Sequence, residues 1–187
     1  LMAAGKAAEL GAKVLLFEKM ARVGIKLALT GKGRCNLTNG GDLPTFVENY
    51  RHNGKFLHNV FSRFFNQDLI SFFHQRGLRT VEERGKRIFP ASNRAQDVVR
   101  VLKEYVASRG SQTLLHTPAS AILQEDGGII GIQTVSRVMK TSRVILATGG
   151  ASYPKTGSTG DGYRMAKELG HTLVPIRPAL VPLETDE

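Results

Sequence analysis

Leu1–Glu18, LMAAGKAAELGAKVLLFE, decides the fold. Leu1, Ala4, Ala8 and Leu10 share one face at helical spacing, so Leu1–Leu10 reads as a helix. Gly11 then stands where a helix end takes a left-handed residue. Lys13–Phe17 (KVLLF) follows, a short apolar run that ends at Glu18. Runs of this kind are strands covered on both faces in parallel sheets. Helix, glycine and buried strand in that order form the second half of a βαβ unit.

Outward from this stretch the alternation continues. Val23–Gly41 (VGIKLALTGKGRCNLTNGG) reads as a glycine-rich basic loop. Asn66–Arg76 is predicted as a helix that starts at Asn66 or Asp68 and is closed by Gly77. Leu78–Pro90 reads as a hairpin turning near Glu83–Lys86. Ala95–Arg109 carries Val98, Val99, Leu102, Tyr105 and Val106 at helical spacing, with Asn93 and Gln96 resembling a capping box. Thr113–His116 is a predicted strand. Ala121–Gln124, Ile129–Val135 and Val138–Met139 form a predicted antiparallel meander turning at Asp126-Gly127-Gly128. Arg143–Ala147 (RVILA) reads as another buried strand, running into Thr148-Gly149-Gly150. Asp161–Leu169 is a last helix, closed by Gly170, with Asp161 as a candidate N-cap. Strands alternating with helices predict an α/β class with a mostly parallel sheet and a small antiparallel excursion.

Composition narrows the function. The chain has 187 residues, and its 26 Lys+Arg against 16 Asp+Glu give a net charge of +10. No apolar run approaches the roughly 18 residues of a membrane-spanning helix, so no membrane partner is expected. Cys35 is the single cysteine, which excludes an internal disulfide or a two-cysteine redox pair within the chain and leads to the expectation of a cytoplasmic protein. The charge invites a nucleic-acid reading. Aromatic residues are only 7%, Trp is absent, and no RNP-type, zinc or helix-turn-helix pattern occurs. The basic run Arg76, Arg79, Arg84, Lys86 and Arg87 is broken by Glu82 and Glu83, as on a solvated hairpin face. The expectation is therefore no nucleic acid, a basic nucleic-acid-binding module being the competing class.

Four segments carry chemistry. Glu18 ends a buried strand, where a carboxylate in dinucleotide-binding βαβ units accepts hydrogen bonds from a ribose, about 20 residues beyond a G-x-G-x-x-G fingerprint. That fingerprint is absent, and a surface glutamate at a strand end remains the simpler alternative. Thr30-Gly31-Lys32-Gly33-Arg34-Cys35-Asn36 combines glycines that let backbone N–H groups approach phosphate with the cations Lys26, Lys32 and Arg34. It is not a P-loop: six residues separate Gly24 from Gly31, and Gly33 follows Lys32. Ala147-Thr148-Gly149-Gly150 puts a tight turn at the carboxyl edge of the sheet, where open α/β sheets bind ligands. Gly157–Gly162 precedes a helix and can offer its N–H groups to an anion. His52, His58, His74, His116 and His171 are scattered, so no catalytic residue and no metal site is assigned.

Together, GAKVLLFEK, KLALTGKGRCNLTN, VILATGGASYPKTGSTGDGYRMAKELGH and RPALVPL resemble the flavoproteins with two dinucleotide-binding domains. The nearest likeness is to a bacterial family of NAD(P)/FAD-dependent oxidoreductases. It is aminoacetone-oxidase-like, includes bile-acid dehydro-reductases, and is related to fumarate reductase flavoprotein subunits. The resemblance implies a Rossmann-like domain that binds FAD noncovalently, with NAD(P)H a possible reductant and a small molecule as substrate. Glu18 would hold the adenosine ribose with Lys19 beside it. Thr30, Gly31, Gly33, Arg34, Cys35 and Asn36 would line the pyrophosphate and flavin region, with Lys26 as a further cation. Ala119 would offer backbone groups to the adenine, and Thr148 and Gly149 would turn near the cofactor. Cys35 reads as a small packing residue, with a flavin-tuning thiol as the alternative.

The resemblance also implies domain limits. Residues 1–176 would be an FAD-binding domain lacking its first strand, and 177–187 the start of an inserted substrate domain. That first strand would lie between Lys13–Phe17 and Arg143–Ala147; without it a slot about 10 Å wide separates them. The expectation is an N-terminal part of a larger enzyme that binds FAD poorly alone. A non-catalytic or degenerate fragment is the alternative. Oligomeric state is not assigned.

Overall fold

A computed structural model describes residues 1–50 and 53–178. It divides into two compact units: Leu1–Pro118 with Lys155–Gly157, and Ala119–Pro154 with the chain from Ser158 on.

The first unit is organised by helix α6, Ala95–Ala107, whose Val98, Val101, Leu102, Tyr105 and Val106 are all buried. Cys35, Phe73 and Leu78 close around its Val98 and Val101. The predicted Asn93–Gln96 capping box does not form; Arg94 is the N-cap and its side chain makes no capping bond. Asn93 instead takes a left-handed conformation (φ 54°) and its Oδ1 accepts from Arg34. Helix α1, Met2–Glu9, lies on α6 at Gly5, where an added Cβ would clash with Cδ1 and Cε1 of the Tyr105 ring. The Tyr105 hydroxyl donates to Glu9 Oε2 at 2.8 Å, which gives the polar end of a buried ring its partner. Helix α5, Asn66–His74, supplies Phe72, whose ring meets Tyr105 edge-on at 5.0 Å.

Strand β1, Leu15–Phe17, pairs in parallel with β5, Gln112–Leu114, Leu16 facing Thr113. These are the predicted strands, the first shortened at its start and the second beginning one residue earlier, at Gln112, and ending at Leu114. His116, expected within the second of them, sits at φ 50° in the following turn and donates its N–H to the Met20 carbonyl. The predicted hairpin is β3, Thr80–Glu83, with β4, Arg87–Pro90. Strand β2, Thr38–Asn39, adds to the other edge of β4, giving the antiparallel order β2-β4-β3. The expected loop Val23–Gly41 is more ordered than its glycines suggest. It holds helix α2, Ile25–Leu29, a 3-10 turn over Thr30–Gly33, and β2. Two helices lie where no element was read, α3 (Leu43–Asn49) and α4 (Gly54–Phe61). Asp42 caps the first by accepting from the Thr45 N–H at 2.9 Å.

The second unit contains the predicted meander, β6 (Ala119–Glu125), β7 (Gly128–Thr134) and β8 (Val138–Lys140), in the order β6-β7-β8. Asp126 (φ 49°) and Gly127 (φ 76°) make its first turn. Helix α7, Asp161–Glu168, packs on β6. Its N-cap is Gly160 and not Asp161, which accepts from the Thr159 hydroxyl. Arg143–Ala147, predicted as a buried strand, is not a strand, and Ile145 is 64% exposed. A strand is defined by its ladder, and no neighbour among the described residues pairs with this segment. For the same reason parallel pairing is confined to β1 and β5 among the described residues, in place of a mostly parallel sheet.

Candidate functional site

Glu18 stands at the carboxyl end of β1. Its N–H donates to the Leu114 carbonyl, which continues the parallel ladder by one residue. Its Oε1 accepts from the Met20 N–H at 2.9 Å, so the carboxylate is held at the strand end by the chain's own turn. Lys19 and Met20 line the approach to Gly157: a Cβ there would stand 3.3 Å from Lys19 Cε and 3.0 Å from Met20 Cγ. Gly157 has φ 94°, so both the close approach and the backbone require glycine.

The loop Thr30–Asn36 is built on left-handed residues. Gly31, Lys32, Gly33 and Cys35 all have positive φ, between 57° and 83°. Two bonds close the turn, Arg34 N–H to the Gly31 carbonyl and Cys35 N–H to the Thr30 carbonyl. Thr30, Gly31, Lys32 and Gly33 are exposed and Cys35 is buried beneath them. A Cβ on Gly33 would meet nothing within 4 Å, so this backbone faces open space. Burial pushes the Cys35 thiol up, against a smaller lowering by its hydrogen bond with Thr30. Cys35 is therefore a neutral packing group in the core. Lys26 lies half-buried on α2. With its amide nitrogen turned to face carbonyls, Asn36 donates to Thr38 and Ile88, fastening the loop to β4.

Arg34 is directed at the hairpin. Its guanidinium donates to Glu83 Oε1 at 2.7 Å and Oε2 at 3.1 Å, and to Asn93 Oδ1 at 3.2 Å. It lies 4.0 Å from the centre of the Phe89 ring. Arg34 holds the Glu83 carboxyl below its ordinary value. Glu83, Phe89 and Asn93 have no site role in the sequence reading, which places Glu83 in the hairpin turn and Asn93 in a helix cap. Glu83 and Asn93 lie 49 and 59 residues from Arg34, and no linear spacing connects them.

The remaining predicted residues belong to the second unit. Ala119 opens β6 opposite Thr134. Thr148 packs on the first turn of α7, where its Oγ1 occupies the space a Cβ on Gly162 would need. Gly149 has φ 77° and faces Ser158 Oγ, which is buried. Glu18, Lys19, Lys26 and the Thr30–Asn36 loop all belong to the first unit, and in the second Thr148 and Gly149 lie against Gly162 and Ser158 at the N-terminus of α7.

These groups fit an adenine dinucleotide. A carboxylate ending a parallel strand suits ribose hydroxyls, and an open left-handed backbone beside Lys32 suits a pyrophosphate. No cluster of three or more metal-ligating side chains occurs among the described residues. No helix among them is long and apolar enough to cross a membrane.

Residues 1–179 match the family model described as the HI0933-like protein Rossmann domain. The chain belongs to this family. The HI0933-like domain is an FAD-binding Rossmann domain of oxidoreductases, as the resemblance of its loop and turn segments implied. A 3-dehydro-bile acid delta(4,6)-reductase of Clostridium scindens is 33% identical over 174 residues, 92% of this chain and 41% of that protein. A ribosomal RNA dihydrouridine synthase of Haemophilus influenzae is 31% identical over 193 residues, 100% of this chain and 47% of that protein. The HI0933-like chain thus spans less than half the length of either relative. Among solved structures, L-proline dehydrogenase from P. horikoshii superposes with a TM-score of 0.51 at 15% identity. The match covers 94% of this chain and 54% of that one, a likeness of fold.

Proposed function

We propose that the chain is the FAD-binding portion of a flavin-dependent oxidoreductase that takes electrons from NAD(P)H and passes them to a small-molecule substrate. The observation that carries this reading is the presence, in one unit, of a carboxylate at the end of a parallel strand and of the exposed Thr30–Asn36 loop with its positive-φ backbone. Bound FAD would supply the hydride and electron chemistry. Glu18 would take the adenosine ribose, and Lys19 and Lys26 would add positive charge near the phosphates. Thr30, Gly31, Gly33, Cys35 and Asn36 would shape the pyrophosphate and flavin side. Ala119, Thr148 and Gly149 are the second unit's candidate cofactor residues. Residues 1–176 are taken as this domain and 177–187 as the start of a substrate domain, 179–187 lying outside the described residues. A cytoplasmic setting accords with the single cysteine.

A second reading concerns the substrate. The chain carries a net charge of +10, and a relative 31% identical over its full length is named for ribosomal RNA. The expectation of no nucleic acid, drawn from missing binding motifs, is therefore withdrawn. RNA is the alternative substrate class.

One experiment tests both. The full-length parent is purified, its flavin absorbance recorded and the flavin released by denaturation, then titrated anaerobically with NADH and NADPH. Stoichiometric released FAD, reduced by one nicotinamide, is expected. Absence of flavin that also fails to load from free FAD sinks the proposal. Gel shift with ribosomal RNA across a salt series separates the substrates: binding that falls steeply with salt selects RNA.

A further inference from the structure

Arg34 is the residue of the basic loop that looks most suited to a phosphate, and the structure commits it elsewhere. Its neighbours in the loop are conformationally costly. Lys32 and Cys35 are non-glycine residues at φ 57° and 63°, a conformation L side chains strain to adopt. Such a backbone persists only where its surroundings fix it. From inside, the buried Cys35 side chain and the turn bonds do this. From outside, Arg34 does so, and among the described residues its guanidinium is held by the hairpin and the turn after it: Glu83 on β3, Phe89 on β4, and Asn93. Glu83 is the principal partner, since both of its oxygens accept from the guanidinium in a bidentate pair. Arg87 approaches the same carboxylate at 3.8 Å.

We infer that Glu83 is a positioning residue for the cofactor loop. It holds Arg34 against the hairpin, keeps Gly31, Lys32, Gly33 and Cys35 at positive φ, and leaves the exposed backbone and Lys32 to meet the pyrophosphate. Arg34 then acts through the loop's shape and not as a phosphate ligand. This rests on the FAD reading above.

The test uses the full-length parent and two variants, Glu83→Gln and Arg34→Lys. The first removes the acceptor charge; the second keeps the positive charge and loses the bidentate fork. Two quantities are read: the rate at which a thiol reagent labels Cys35 in apoprotein, scored on its tryptic peptide, and the Kd for FAD. Cys35 is 1% exposed beneath the loop, so its labelling reports loop opening without any cofactor. Both variants are expected to label about fivefold faster and to bind FAD about fivefold more weakly, as loss of a clamp of this kind implies. Unchanged labelling overturns the clamp. Faster labelling with an unchanged FAD Kd overturns its link to the cofactor. Arg34→Lys binding FAD as wild type, while Glu83→Gln binds more weakly, overturns the role given to the fork. If wild-type parent binds no FAD while labelling responds as expected, the function reading fails and takes the cofactor role with it, leaving a structural clamp.

Discussion

At the scale of single residues the balance is set by where each charge finds a partner. Arg34 and Glu83 are both partly exposed, so their attraction is screened and its contribution is small at neutral pH. Its pH dependence is still definite in sign. Arg34, by hydrogen bonding and by charge, lowers the Glu83 carboxyl, with Arg87 adding to it. A carboxyl lowered on folding adds stability that is complete above its unfolded value, about pH 4. That stability is lost as pH falls through the lower folded value. The thermal midpoint of wild type is therefore expected to exceed that of Glu83→Gln at pH 7, with the two curves converging in acid. Parallel curves down to pH 2 would contradict the pairing. The sequence made the loop legible because glycine and lysine at positions 31–33 are local signals. It hid Glu83 because the contact between residues 34 and 83 exists only once the hairpin has folded against the loop. Asn93 was misread for a related reason: its side chain suits a helix cap, but Arg34 takes it first.

Between elements, the contact of α1 with α6 is a close approach of a helix backbone to a ring in the first unit. At Gly5 the helix backbone touches the Tyr105 ring, and that ring is fixed from its other sides. Its hydroxyl donates to Glu9, Phe72 meets it edge-on, and Arg76 lies 4.5 Å from its centre. The ring has no free direction in which to yield. Gly5→Ala is therefore expected to lower stability by about 1–3 kcal/mol, even though alanine favours helix more than glycine does. Urea unfolding measures this, as a lower midpoint with an unchanged slope. An unchanged or raised midpoint would mean the two helices separate easily. The periodicity of α6 is readable because its valines, Leu102 and Tyr105 are all buried while Arg100, Lys103 and Glu104 are exposed. Helices α3 and α4 escaped because they are short and bury little. Phe56 is 82% exposed, and their contacts are chiefly among the rings of Phe46, Phe61 and Phe65. The strand read at Arg143–Ala147 failed for the opposite reason. Its composition suits a buried strand, but composition supplies no partner for the ladder.

Across the whole molecule, the same fact shapes behaviour. β1 is paired only along the edge it shares with β5 among the described residues, and its Leu15, Leu16 and Phe17 are apolar. In the second unit Ile145 and Leu146 are exposed in a segment with strand-like composition. An apolar edge with unspent backbone donors and acceptors is a template for another chain. The residues proposed for the cofactor are also divided, Glu18 and the Thr30–Asn36 loop in one unit and Thr148 and Gly149 in the other. A polypeptide of these 187 residues, spanning less than half of its curated relatives, is therefore expected to associate with rising concentration and to retain little FAD. Its high positive charge opposes association at low salt and is screened as salt rises, so the associated fraction should grow with ionic strength. Size-exclusion chromatography across concentration and salt reads this directly. Ile145→Lys, which adds charge without disturbing a formed ladder, should shift the profile toward monomer. A monomeric profile under all conditions, with one FAD bound per chain, would mean that β1 and Arg143–Ala147 are satisfied within the chain itself.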